Sequence, residues 1–225
     1  MDTAVIFSGG DIKDDFALAF LGEKKARYLI GADRGIHFLR KHGIEPTHIV
    51  GDFDSSAAED LEYFKENTEV PVHLYQPEKD VTDTQIAVEL AVSLNCSEIY
   101  IFGGMGCRVD HLLANIRVLA IPEKKGIPCY LLDPWNRIRV TGRPLAVMRR
   151  ECFGTYVSLF AMGAQVTGLT LTGFKYPLSD YTMSGADPLG VSNEIVEEKA
   201  EISFQSGMLI VAESRDEAVC GASCR

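Results

Sequence analysis

Five short runs in the first half of the chain are nearly continuous in apolar residues: AVIFS (4–8), RYLIGA (27–32), THIVG (47–51), VHLYQ (72–76) and EIYIF (98–102). A strand with one wet face alternates apolar and polar side chains, so runs of this kind point to strands buried on both faces. Between them the period changes. TDTQIAVELAVSL (82–94) puts Ile86, Ala87, Leu90, Ala91 and Leu94 on one face at helical spacing, and Thr82 with Gln85 forms the sequence pattern of a capping box. DHLLANIRVLA (110–120) repeats the stripe with Leu112, Leu113, Ile116 and Leu119. Strand and helix in alternation predict a parallel sheet with helices on both faces, a Rossmann-like α/β domain.

The pattern breaks at IPEKKGIP (121–128), a charged stretch bracketed by prolines that reads as a linker. Beyond it stand CYLLD, RIRVTG, FGTYVSLFA, VTGLTLTG, SNEIVEEKAEISF and MLIVAES, short β-rich runs punctuated by turns. They predict an antiparallel, all-β sandwich. Two domains are therefore expected, an α/β domain over 1–122 and a β domain over 128–219.

Charge and cysteines narrow the partners. A net charge of −10 disfavours nucleic-acid binding, so an anionic ligand would need local cations or a metal ion to bind. The six cysteines are scattered and form no CxxC pair, which suggests free thiols rather than zinc or a disulfide framework. There is no apolar run of about 18 residues and no signal-peptide pattern, so a cytoplasmic protein with no membrane partner is expected.

In open parallel sheets ligands bind beyond the carboxyl ends of the strands. Four segments fall at that edge: Asp33 in GADRG, Asp52 and Asp54 in GDFDS, Asp80 and Asp83 in KDVTD, and the loop GGMGCRVD (103–110). GDFDS by itself reads first as a turn in which Asp54 or Ser55 caps the helix that follows. A D-x-D pair at a strand end also suits Mg²⁺, which takes oxygen ligands and keeps positions for water and phosphate. Asp83 at the same edge favours the metal reading. The glycine loop, Gly104 included, offers backbone N–H groups to an anion, and Arg108 adds a charged fork. It is neither a dinucleotide fingerprint nor a Walker A loop. Asp110 either caps the following helix or fixes Arg108, and His111 reads as structural. The residues thus predict a Mg²⁺-dependent enzyme acting on a nucleotide or phosphate ester. A metal-dependent phosphohydrolase and a non-catalytic nucleotide sensor are the alternatives.

Taken in order, GADRGIHFL, PTHIVGDFDS, KDVTDTQIAVELA, FGGMGCRVDHLLANI, GFKYPL and GVSNEI resemble the motif series of the thiamine pyrophosphokinase family over roughly residues 31–195. The resemblance implies transfer of pyrophosphate from ATP to the hydroxyl of thiamine, giving thiamine diphosphate and AMP. It implies an α/β nucleotide-binding domain followed by a β-sandwich, in a homodimer with active sites between subunits. Asp52, Asp54 and Asp83 would be the Mg²⁺ ligands. Asp33 would lie beside the nucleotide, Arg108 and Asp110 on its phosphate side, and Ser192 and Asn193 against the aminopyrimidine of thiamine. Cys107 stands where many members have Gly; if that position requires a positive φ, a side chain there is costly.

Overall fold

The computed structural model describes residues 2–53, 57–74 and 81–216, which fall into two compact units, Met1–Pro134 and Trp135–Arg225. In the first unit, strands β1 (Thr3–Phe7), β2 (Tyr28–Ala32), β3 (His48–Gly51), β4 (Val72–Leu74), β5 (Glu98–Phe102) and β6 (Cys129–Leu132) alternate with helices. The helices are α1 (Asp14–Glu23), α2 (Ile36–Lys41), α3 (Ala58–Asn67), α4 (Asp83–Ser93), α5 (Val109–Val118) and the short α6 (Ala120–Glu123). Every pairing among these strands is parallel, in the order β4-β3-β2-β1-β5-β6.

The continuous apolar runs explain this sheet. All five residues of β1 are buried, as are Ile99 to Phe102 of β5, and Phe7 stacks on Phe38 and Phe102 at 4.9 and 5.8 Å between ring centroids. Helix α4 packs across β1, β2 and β3. Thr82 caps it, its hydroxyl accepting from Gln85 N–H at 3.2 Å. Only this half of the expected capping box forms among the described residues; the Gln85 carboxamide runs along the helix, its Nε2 donating to Glu89 at 2.8 Å. The stripe expected on α5 is also corrected: Leu113 is exposed and Asn115 is buried.

The expected domain boundary moves. IPEKKGIP is not an interdomain linker, since it carries all but the first residue of α6 and the turn that leads into β6. CYLLD was expected in the β domain, yet β6 extends the first sheet through parallel pairing with β5. An apolar run of four residues carries no information about which sheet it will join. The first unit therefore ends at Pro134, beyond the expected limit of 122.

The second unit holds β7 (Asn136–Thr141), β8 (Leu145–Met148), β9 (Tyr156–Ala161), β10 (Gln165–Thr172), β11 (Leu178–Ser184), β12 (Lys199–Ser203) and β13 (Leu209–Ser214). β13 pairs antiparallel with β7 and β9, while the other four form a second antiparallel sheet in the order β11-β10-β12-β8. Val157, Leu159, Leu209 and Val211 from the first set share one core with Val166, Leu169, Met183 and Ile202 from the second. Glu213 is buried at 2% exposure. The Arg137 guanidinium donates to both its oxygens at 3.1 and 2.6 Å, and Phe153 N–H donates to it at 2.8 Å, so the buried charge is satisfied.

Candidate active site

In the first sheet the chain steps outward from β1 to β4 on one side and then returns to the other side of β1 with β5. Such a reversal leaves a crevice beyond the carboxyl ends of the strands beside it. A cleft of about 480 Å³ opens there, lined by the loops after β1, β2 and β5 and by the first turns of α4 and α5.

The floor is made of two glycine loops in backbone contact. Gly10 N–H donates to Gly103 O at 2.9 Å, and Ser8 N–H to Phe102 O at 2.8 Å. A Cβ on Gly10 would come 2.3 Å from Gly103 O, and one on Gly103 2.3 Å from Ser8 O, so neither position admits a side chain without moving backbone. Asn115 fastens the second loop from below, its Nδ2 donating to Gly104 O at 2.9 Å. The buried Ser8 and Thr84 hydroxyls share a hydrogen bond at 3.0 Å, tying the end of β1 to the start of α4.

Of the residues expected at this edge, Asp33, Asp83, Gly104 and Arg108 line the cleft. Asp33 begins a 3-10 turn, Asp33–Gly35, at the end of β2 with φ 48, and Asp83 is the first residue of α4. Asp52 follows β3 directly and is not part of the cleft lining. It lies at the neighbouring strand end, where a Cβ on Gly51 would be 3.3 Å from Asp33 Cα. Asp54 and Asp80 lie outside the described residues. Asp110 stands beside the lining and holds Arg108, accepting from its Nε and Nη2 at 3.2 and 2.6 Å. That guanidinium pulls the Asp110 carboxyl down to about 2 and raises Arg108 in turn. Asp110 also accepts from His111 N–H, but it sits inside the first turn of α5, whose N-cap is Arg108, so of its two expected roles it fixes Arg108 and does not cap the helix. His111 is exposed at the cleft and has no place in the core. Cys107 is exposed and does not adopt a positive φ, so the cost considered for a side chain there does not arise.

Among the described residues no three His, Cys, Asp or Glu side chains form a ready metal cluster. The donors at this edge nevertheless fit a hard cation in kind. Asp33, Asp52 and Asp83 offer only carboxylate oxygens, and the one thiol in the cleft, Cys107, is a ligand that Mg²⁺ does not favour.

Ser8, Gly9, Gly10, Arg34, Thr84 and Asn115 also line the cleft and were not expected from sequence. The glycine pair directly after the apolar run of β1 was the available signal.

In the second unit, Gly190–Ile195 is laced onto its neighbours. Asn193 and Val157 exchange backbone hydrogen bonds at 2.8 and 3.1 Å. The Asn193 carboxamide is buried and in use: Oδ1 accepts from Tyr176 N–H and Glu194 N–H, and Nδ2 donates to Tyr176 O. Ser192 is exposed, with φ 56. Its N–H donates to Ser158 Oγ at 3.0 Å. The loop thus turns Ser192 outward and keeps Asn193 inward.

Comparison with known proteins agrees with this division. The family described as thiamin pyrophosphokinase, catalytic domain, matches residues 22–131, and the thiamin pyrophosphokinase vitamin B1 binding domain matches residues 145–209. Thiamine pyrophosphokinase of Bacillus subtilis is 35% identical over 187 residues, covering 83% of this chain and 87% of that protein. The crystal structure of the B. subtilis enzyme superposes with a TM-score of 0.84 at 32% identity, over 96% of this chain and 100% of that one. The thiamin pyrophosphokinase of Geobacillus thermodenitrificans gives 0.81 at 31% identity, over 98% and 100%. The two domain matches fall in order on the two units and leave only short stretches uncovered. The chain belongs to the thiamine pyrophosphokinase family.

Proposed function

We propose that the reaction of this family and of this chain, transfer of pyrophosphate from ATP to the hydroxyl of thiamine, runs at the carboxyl edge of the first sheet. ATP occupies the cleft and thiamine meets the Ser192 loop. The carrying observation is the pair of glycine loops in backbone contact at the sheet's reversal point, flanked by Asp83 and Arg108, the second loop and both of these residues lying inside the part that matches the catalytic domain. A Rossmann-like description of this unit rests on its all-parallel strand order.

In the reaction the thiamine oxygen forms a bond to the β-phosphorus, the bond from that phosphorus to the oxygen bridging it to the α-phosphate breaks, and AMP leaves with that oxygen. The hydroxyl proton passes to a nearby carboxylate or water. Transfers of this type depend mainly on positioning and charge neutralisation. The glycine loops let backbone approach the phosphates, Asn115 and the Ser8–Thr84 pair hold that backbone still, and Arg108, oriented by Asp110, meets the negative charge. Asp52, Asp54 and Asp83 are the residues that would hold Mg²⁺, which when bound neutralises the polyphosphate. Asn193 holds the thiamine loop in shape, and Ser192 is the side chain free to face the aminopyrimidine.

The enzyme works as a cytoplasmic homodimer with active sites between subunits. Support for this comes from the exposed apolar Tyr176, Leu189 and Val191 around the loop, from the free Cys96, Cys107, Cys129 and Cys152, and from the lack, among the described residues, of any helix long and apolar enough to cross a membrane.

AMP formation should require ATP, thiamine and Mg²⁺ together. Asp83→Ala should lower turnover on the order of 10²- to 10³-fold while the protein stays folded. A folded Asp83→Ala variant with near-normal AMP output refutes the metal assignment, and phosphate release without thiamine would favour a phosphohydrolase.

A further inference from the structure

Two arginines line the cleft, and they differ in what already holds them. The fork of Arg108 is taken on two nitrogens by Asp110. Arg34 has no carboxylate partner and no side-chain hydrogen bond among the described residues. The backbone beneath it has little latitude. Asp33 takes a left-handed φ of 48, and a Cβ on Gly35 would fall 1.8 Å from Phe7 O, so the turn is pressed onto the end of β1. A Cβ on Gly9 would lie 3.2 Å from Asp33 Oδ2 and 3.3 Å from Arg34 Cβ, so the absence of a side chain at 9 keeps room for both. Left-handed backbone at a residue other than glycine, locked in place by its surroundings, is the mark of a turn that aims a functional group.

Charge gives the aim a purpose. The chain carries −10 overall and the cleft holds the carboxylates of Asp33 and Asp83, so a polyphosphate entering it meets a repelling field. Arg108 shares its charge with Asp110, whereas Arg34 is held in no ion pair among the described residues.

We propose that Arg34 is a substrate-binding residue for the known reaction, its guanidinium taking the triphosphate of ATP in the cleft. The proposal rests on the assignment of ATP to that cleft and adds a second cation, one that sequence alone left unassigned, to Arg108. Arg34 binds by a planar fork of N–H donors, which a point charge reproduces only in part.

Steady-state kinetics of wild type, Arg34→Gln and Arg34→Lys, with ATP and thiamine varied in turn and melting temperatures recorded, test it. Arg34→Gln should raise the ATP KM about 10- to 100-fold, the cost of losing hydrogen bonds to a charged group, with the thiamine KM unchanged. The Lys variant should fall between the two. Wild type should lose ATP affinity more steeply with added salt than Arg34→Gln. An Arg34→Gln variant whose ATP KM stays within about twofold of wild type overturns the role of Arg34 and leaves ATP in the cleft. Thiamine and ATP KM values rising in parallel with a drop in melting temperature also overturn it, since that is the signature of a structural residue. If Arg34→Gln does not fold, an Arg34→Lys variant with unaltered ATP KM overturns the contact. Wild-type protein that forms no AMP from ATP and thiamine overturns the cleft assignment, and the Arg34 proposal with it.

Discussion

At the ends of β1 and β5 two loops touch backbone to backbone because Gly10 and Gly103 have no side chains, whereas in the second unit the loop after Gly190 is clasped by a side chain, the carboxamide of Asn193, beside its backbone pairing with Val157. Both arrangements fix an irregular backbone beside a surface where a substrate is to bind. They differ in what they leave free. The glycine loops keep backbone close to the cleft, suited to phosphates that accept hydrogen bonds from any direction. The Asn193 loop satisfies its own backbone and presents Ser192 as its outward polar side chain, beside the exposed Val191, suited to a ring with a fixed pattern of donors and acceptors. The first region should therefore break when an atom is added, and the second when one is removed.

The largest effect is expected from adding a methyl group in the first region. Gly10→Ala sets a Cβ 2.3 Å from the Gly103 carbonyl, and no flexible side chain is there to yield. The loops must part, so ATP affinity should fall at least about tenfold and stability by about 1–3 kcal/mol. Calorimetric titration with ATP and a thermal melt check both. Gly22→Ala is the control: a Cβ on Gly22, inside α1, meets nothing within 4 Å. It should hold ATP normally and melt no lower than wild type, since Ala suits a helix better than Gly by about 0.5–1 kcal/mol. Equal losses in both variants would mean that the contact between the loops carries no function.

Removal should matter most at Asn193. Asn193→Ala strips the partners from the N–H groups of Tyr176 and Glu194 and from Tyr176 O, at a cost of about 1–3 kcal/mol. Asn193→Asp keeps the acceptor and loses the donor to Tyr176 O, so its melting temperature should fall between. The thiamine KM should rise in both while the ATP KM holds. An Asn193→Ala protein that melts like wild type yet fails on thiamine would move Asn193 from holding the loop to touching the ring. For Ser192, the φ of 56 complicates the usual alanine test, since Ala would be strained there for reasons unrelated to the hydroxyl. Ser192→Gly removes the hydroxyl while suiting that backbone, and should raise the thiamine KM about 3- to 10-fold, the value of one hydrogen bond.

The same contrast explains what could be read from the sequence. Strands β1, β2, β3 and β5 were legible because burial on both faces leaves a continuous apolar run. β11 was not: as an edge strand it exposes Ser179, Asp180 and Thr182 or half-exposes its neighbours, and only Met183 is buried, so its residues carry no apolar period. The chemistry-bearing side chains Asp33, Asp83 and Arg108 announced themselves by type at strand ends. The parts that shape the cleft did not, because a glycine that avoids a clash looks like a glycine in any turn. Asn115 sat on a helical face read as apolar, and its buried place makes sense only once Gly104 O is known to need a donor there. Which sheet β6 joins was equally illegible, since it depends on a pairing with β5 that spans α5 and α6.

The smallest effect separates a strong local shift from a stabilising one. Asp110 has its carboxyl pulled down to about 2, below the ordinary 3.8, by the Arg108 hydrogen bonds. A carboxylate lowered on folding adds stability above its unfolded value and loses that contribution as pH falls from about 3.8 through about 2. The pair is exposed, however, at 67% and 65%, and water screens it, so its contribution is slight at any pH. Asp110→Asn should therefore melt within about 1 °C of wild type from pH 4 to pH 8. Thermal melts across that range decide the matter. A drop of several degrees at neutral pH, vanishing toward pH 2, would show that the Arg108–Asp110 pair holds the first turn of α5 together, and that the first unit, like the second, depends on a side-chain clasp as well as on bare glycine backbone.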